Sequence, residues 1–225
     1  MTGVAECVCV LWAVRLVPST AHLVPAQTLG AISGAMNAGA IGCVHSNWGP
    51  APPCNQSGPA NALLTCTGQQ PSFAPRAVWH VFAAYANTTG VNIPAQRHCD
   101  DCTALCSWDA KTRTVQLLVG YYNGWKCNPA TGKCIALAAP ASRMLRVDLA
   151  GIENVMDRNR VTRPQRLETA GGRARARIHM IPDTGSAPLP APLPIYDGLV
   201  PVASQGLALE LNATVNGVFT VTIQV

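Results

Sequence analysis

The densest cluster of reactive side chains runs from His98 through Cys99, Asp101 and Cys102 to Cys106, with Cys127 and Cys134 downstream. Thiolates and an imidazole at such spacing are soft donors of the kind zinc takes in a tetrahedron. A zinc ribbon needs a second close pair, however. Cys127 and Cys134 stand seven apart around Asn128-Pro-Ala-Thr-Gly-Lys133, the composition of a loop closed by a disulfide. Ten cysteines, an even count, point the same way, toward an oxidising compartment. The same nearness in sequence pairs Cys54 with Cys66. Sequons at Asn55, Asn87 and Asn212 are glycosylation candidates in that compartment.

Carboxylates are scarce where chemistry would need them. Only 12% of the 225 residues are charged, and Glu6 is the one carboxylate in residues 1–90. The net charge of +5 is spread along the chain, which excludes a nucleic-acid footprint as the first expectation. One local concentration stands out. Arg173, Arg175 and Arg177 alternate with Ala174, Ala176 and Ile178, so a strand would project all three from one face. Such a row is by default a solvated outer face, with an acidic polysaccharide as the alternative partner.

The elements that must position these residues fall into two kinds. From Pro25 to Ala40, Leu29, Ile32 and Met36 recur at helical spacing. Residues 41–48 form a short apolar run that ends in polar residues, as a buried parallel strand does when it opens into a loop, here 49–74. Pro75 then fits a first helical position, and Val78, Val81, Phe82 and Tyr85 make an i, i+3, i+4, i+7 stripe. On this helix Trp79 and His80 are expected to pack. Beyond Gly90 the period changes to two. Strands are expected at Ala104 to Trp108, at Thr114 to Tyr121 and around Leu145, Val147 and Leu149. Leu207, Leu209 and Leu211, then Asn216-Gly217, then Phe219, Val221 and Ile223 read as a half-buried antiparallel hairpin. Six prolines between Pro182 and Pro201 permit only an edge strand or an extended connection, because proline cannot donate to a ladder.

Three stretches carry a resemblance. They are Gly42-Cys-Val-His-Ser-Asn-Trp-Gly-Pro50 with Pro71 to Gly90, then Ala104-Leu-Cys-Ser-Trp-Asp through Gly120, then Arg175-Ala-Arg-Ile-His-Met-Ile-Pro-Asp-Thr-Gly185 with the terminal strands. The first resembles the eighth strand and eighth helix of clan A glycoside hydrolases, the retaining (β/α)8 enzymes of the β-xylosidase and α-L-iduronidase type. The others resemble the β-sandwich that follows the barrel there. The resemblance implies an acid/base Glu after the fourth strand, which would lie before Met1, and a nucleophile after the seventh, which only Glu6 can match. Retaining hydrolysis needs both, about 5–5.5 Å apart. Trp48, at the end of the eighth strand, would be a sugar-stacking platform or a core ring. His45 and Asn47 beside it would reach a sugar hydroxyl or bond internally.

The expectation is therefore an α+β chain: residues 1–97 the truncated end of a barrel, and residues 98–225 an antiparallel β-sandwich that folds on its own. It would belong to a glycoside-hydrolase-like protein without catalysing alone, with a saccharide ligand, no nucleic acid and no cofactor. A non-catalytic carbohydrate-binding or cell-surface β-sandwich module is the alternative, and a zinc-dependent interaction domain the second. The expected location is extracellular or the secretory lumen, although the apolar run Cys7 to Val14 follows Glu6 and makes a poor signal peptide. It is also too short to span a membrane.

Overall fold

Helix α1 (Pro25–Asn37) opens on a proline, whose fixed φ and missing N–H cost nothing at a first helical position. Ala26, Leu29 and Ile32 on one side are fully buried. Its Ser33 hydroxyl donates to the Ala104 carbonyl at 3.0 Å, which ties the helix to the sheet below it. The computed structural model describes residues 24–37, 62–66, 73–93, 95–96, 98–99, 101–122, 125–127, 134–136, 141–150, 172–203 and 206–225.

Within the expected 49–74 loop the chain forms β1 (Leu64–Cys66), paired antiparallel with β2 (Phe73–Pro75). Pro75 therefore ends a strand and does not start the next helix. That helix, α2 (Ala77–Ala86), begins two residues later with Arg76 as its extended N-cap. The shift has a simple cause: the Arg76 amide donates to Leu63 at 2.9 Å, and the Pro75 carbonyl accepts from Leu189 at 2.7 Å, so the chain is held extended on both sides. Val78 and Val81 are buried as the stripe requires, and Tyr85 donates its hydroxyl to Met36 of α1 at 3.1 Å.

Then come the strands: β3 (Val91–Ile93), β4 (Cys102–Asp109), β5 (Thr114–Tyr121), β6 (Trp125–Cys127), β7 (Cys134–Ala136), β8 (Ser142–Leu149), β9 (Gly172–Ile181), β10 (Leu193–Val202), β11 (Leu207–Thr214) and β12 (Val218–Gln224). Six form one antiparallel sheet in the order β10-β9-β12-β5-β4-β3; β11-β8 and β6-β7 are two-stranded. The fold class is α+β, mostly antiparallel sheet with two helices. Of the six prolines, Pro194 and Pro201 lie in β10 at the sheet edge, whose register shifts between Pro194 and Tyr196, and the other four lie in the connection that precedes it.

One expectation is corrected. β11 and β12 do not pair with each other: β11 pairs with β8, while β12 inserts between β5 and β9. Asn216-Gly217 is thus a crossing between two sheets. Asn216 takes the positive φ of 67° that asparagine tolerates, and its amide and carbonyl bond Tyr121 and Ala26 instead of a hairpin partner. Burial explains the crossing. Leu207, Leu209 and Leu211 share one apolar cluster with Phe219, Val221 and Ile223, and placing the two strands in facing sheets turns these apolar sides toward each other.

The large sheet is covered on both sides. One face, with Cys106, Leu117, Val119, Ala176 and Val221, packs against Leu145, Leu209 and Leu211 of β8 and β11. The other, with Leu105, Leu118, Ile181 and Val218, packs under Leu29 and Ile32 of α1 and Val81 of α2. Gly120 permits the close approach: a Cβ there would sit 3.1 Å from that of Ala26.

Candidate functional site

Glu6, His45, Asn47, Trp48, Cys54 and Asn55 lie outside the described residues, so the barrel-end site expected around Trp48 is not described. Of the sequons, Asn87 is the exposed C-cap of α2, and Asn212 is exposed on β11. Trp79 and His80 are half-buried on α2, and His80 Nε2–H donates to the Leu189 carbonyl at 2.6 Å.

The cysteine cluster resolves into different roles. Cys99 and Cys102 are joined in a disulfide with Cα atoms 5.6 Å apart, so neither is the thiolate a zinc site would need. Asp101 between them takes two bonds from Arg143 Nη1, at 2.9 and 3.0 Å. Cys106 is a free, buried thiol, pushed up to about 11 by burial in the sheet core. Cys66 is disulfide-bonded. Cys127 and Cys134 stand opposite each other in the β6–β7 register.

Between β3–β4–β5 and β8 lies a cleft of about 840 Å³. Trp108, Leu117, Val119 and Val147 line it, with His98, Arg143 and the Cys99–Cys102 disulfide also in its wall. Nothing in this lining pairs two carboxylates for acid/base work. Asp148 belongs to the lining but is held by Arg146 Nε at 2.9 Å. Other described aspartates are similarly engaged. Asp109 accepts from Thr89 and from the Lys111 and Thr112 amides, which holds its carboxyl below the usual range, the Thr89 hydroxyl contributing most. Asp183 accepts from the Gly185 amide and from Asn216 Nδ2.

The second feature is the helix-bearing face of the large sheet beyond α1 and α2. Cross-strand register sets Gln116, Thr222, Arg177 and Asp197 in one row over β5, β12, β9 and β10. The next row is Thr114, Gln224, Arg175 and Leu199. Directly paired residues share a face, so these side chains stand together. Arg175 bonds Asp197 through Nε at 2.9 Å and Nη2 at 3.2 Å, and Arg177 Nε reaches the same carboxylate at 3.3 Å. Asp197 is held below the ordinary carboxylate range chiefly by the Arg175 hydrogen bond. Alternation in the sequence disclosed the arginines. The register that brings Asp197 to them was invisible, because β10 shows no alternation and is broken by prolines.

No family model matches the chain, and no curated protein matches it. Among solved structures it is similar to the GH39 enzyme from Xanthomonas axonopodis pv. citri, at TM-score 0.49 and 12% identity, over 92% of this chain and 43% of that one. It is also similar to a monomeric beta-xylosidase from Caulobacter crescentus CB15, at TM-score 0.39 and 13% identity, over 67% and 31%. An arabinose-bound GH51 a-L-arabinofuranosidase matches at TM-score 0.40 and 12% identity, over 72% and 21%. These neighbours are glycoside hydrolases of low identity and partial overlap. The chain spans less than half the length of the solved structures it matches.

Proposed function

We propose that this chain is the C-terminal portion of a glycoside-hydrolase-like protein, in which residues 1–97 close a (β/α)8 barrel and residues 98–225 form the β-sandwich behind it. One observation carries the reading. The three stretches that resemble clan A enzymes meet in a single buried cluster: Val81 from the first, Leu105 and Leu118 from the second, Ile181 from the third, with Val218 of the terminal strand. Segments far apart in sequence that resemble one family and pack on one another fit one inherited architecture better than three coincidences.

The parent protein would cleave glycosidic bonds with a carboxylate pair, and this chain would not act alone. Its first 90 residues supply only Glu6, and the described aspartates are held in ion pairs and turns. Trp48, His45 and Asn47 would form the surviving edge of a saccharide site. Asn55, Asn87 and Asn212 would carry glycans, in a secreted or lumenal protein. The expected result with chromogenic aryl-glycosides is no turnover above background. Turnover abolished by Glu6→Gln would overturn the non-catalytic reading. The family reading is tested separately by the transcript upstream of Met1, where an in-frame barrel with two strand-end Glu residues is expected.

A further inference from the structure

We infer that the outer face of β9 and β10 binds a linear polysaccharide that carries carboxylates along its length. The inference deepens the reading above and rests on it only for the saccharide backbone of the ligand.

Arg173, Arg175 and Arg177 project from the same side of β9, where α1 and α2 do not reach: the helices cover the sheet around Ile181, Val218 and Leu118. All three arginines are exposed, Arg175 and Arg177 at 52% and 55% of their side chains. Alternate residues of a strand lie roughly 6.8 Å apart, so the three arginines rise from a stretch of β9 about 13–14 Å long, with the heads of Arg175 and Arg177 drawn to one carboxylate. Asp197 neutralises one of the three charges and braces two of the side chains in one geometry. Arg173 has no carboxylate partner among the described residues. The face keeps a net charge of +2 in that row, with part of its side-chain entropy already spent.

The neighbours narrow the ligand. Thr222 and Gln224 supply hydroxyl and amide groups on the β12 side, while Leu199 and Pro201 are exposed on the β10 side. None of the residues that the register places in these rows is Trp, Tyr or Phe. Among the described residues of these rows, no ring offers a stacking platform for a neutral sugar or for an unpaired base. What remains is recognition by charge and fork geometry, and a guanidinium meets a carboxylate through two parallel bonds. Arg175 shows that geometry with Asp197. A polymer with repeated carboxylates engages the row at several points at once, whereas a single small anion engages one or two.

The test uses the full chain and immobilised sodium polygalacturonate, with its methyl-esterified form as a neutral control and duplex DNA as a rival polyanion. Substituting Arg173→Ala, Arg175→Ala and Arg177→Ala together is expected to weaken polygalacturonate binding at least about tenfold. A variant with the same loss of charge elsewhere, Lys111→Ala, Arg143→Ala and Arg146→Ala, is expected to lose less than about threefold. Arg173→Ala alone breaks no ion pair of the described fold, so an intermediate loss there supports the inference even if the triple variant misfolds. Equal losses in the two triple variants would mean net charge alone and would overturn it. So would undiminished binding by the β9 variants, absence of binding by the parent chain, or tighter binding to duplex DNA. Retention of the esterified polymer by parent and β9 variant alike would overturn the inference while leaving the saccharide reading standing, and the upstream transcript decides that reading independently.

Discussion

Two kinds of residue show how burial and register, more than residue type, set chemistry here. Cys102 and Cys106 are four apart on one strand, yet one closes a disulfide with Cys99 and the other is a thiol raised by desolvation. The spacing in the sequence treated them alike. Cys127 and Cys134 face each other across β6–β7, and facing residues in an antiparallel pair have Cα atoms about 4.5–5.5 Å apart, within disulfide reach. Peptide mapping under non-reducing conditions should therefore find 127 linked to 134 and 99 to 102. Cys106 should be alkylated at pH 8 only after denaturation; labelling of the native chain there would show the core to be open. Asp197 provides a pH handle. Its folded carboxyl titrates below the ordinary value near 3.9, so the ion pair with Arg175 is fully present above that value and is lost as pH falls through the lower, folded one. In Arg175→Ala the NMR titration midpoint of Asp197 should move up toward the ordinary carboxylate range, with Arg177 still holding part of the depression. An unmoved midpoint would assign the shift to another group.

At the scale of elements, local pattern was informative and partnership was not. The strand from Thr114 to Tyr121 and the stripe of α2 follow from period alone, and the prolines left only an edge strand or an extended connection, both of which the segment contains. The terminal strands were legible as strands and as faces, but their pairing was not. Asn216-Gly217 carries the same turn chemistry whether the chain returns beside itself or crosses to another sheet, and only the need to cover two apolar faces decides. Trp48, His45 and Asn47 were placed by resemblance, and no described contact bears on them. The packing of α1 makes a sharper test. Leu29 is fully buried against the sheet, and a Leu→Ala change in such a place costs about 2–5 kcal/mol. Urea unfolding of Leu29→Ala, followed by a probe in the sheet, should show a lower midpoint with an unchanged slope. If the sheet's transition stays where it was, the helix is an appendage and not part of its core.

Over the whole molecule, the question is whether the proposed boundary at 97/98 separates two folding units or only two histories. Most ladders from β4 onward are closed among themselves, and the described core of their inner face is made with β8 and β11, Ile93, Ala95 and Gln96 adding only to the lining of the cleft. Their outer face is another matter. Leu105, Leu118, Ile181 and Val218 are buried by the helices, and β4 gives an edge to β3 through Trp108, Ser107 and Cys106. Full exposure of an aliphatic side chain of this size costs about 1.5–3 kcal/mol, so four together cost about 6–12 kcal/mol, within the range of roughly 5–15 kcal/mol that stabilises a whole domain. A chain that starts at His98 is therefore expected to keep its strand pairing but to melt well below the full chain and to associate through the bared face. Replacing Leu105 and Leu118 with Thr in that shorter chain should restore soluble yield, since threonine suits a wet sheet surface. Both chains would be expressed in an oxidising host and compared by melting and by size. A shorter chain that is monomeric and melts with the full one would show that the helices lend the sheet nothing. One that stays insoluble with both threonines in place would make residues 1–97 part of the sheet's own core, and the boundary would have to move toward the N-terminus.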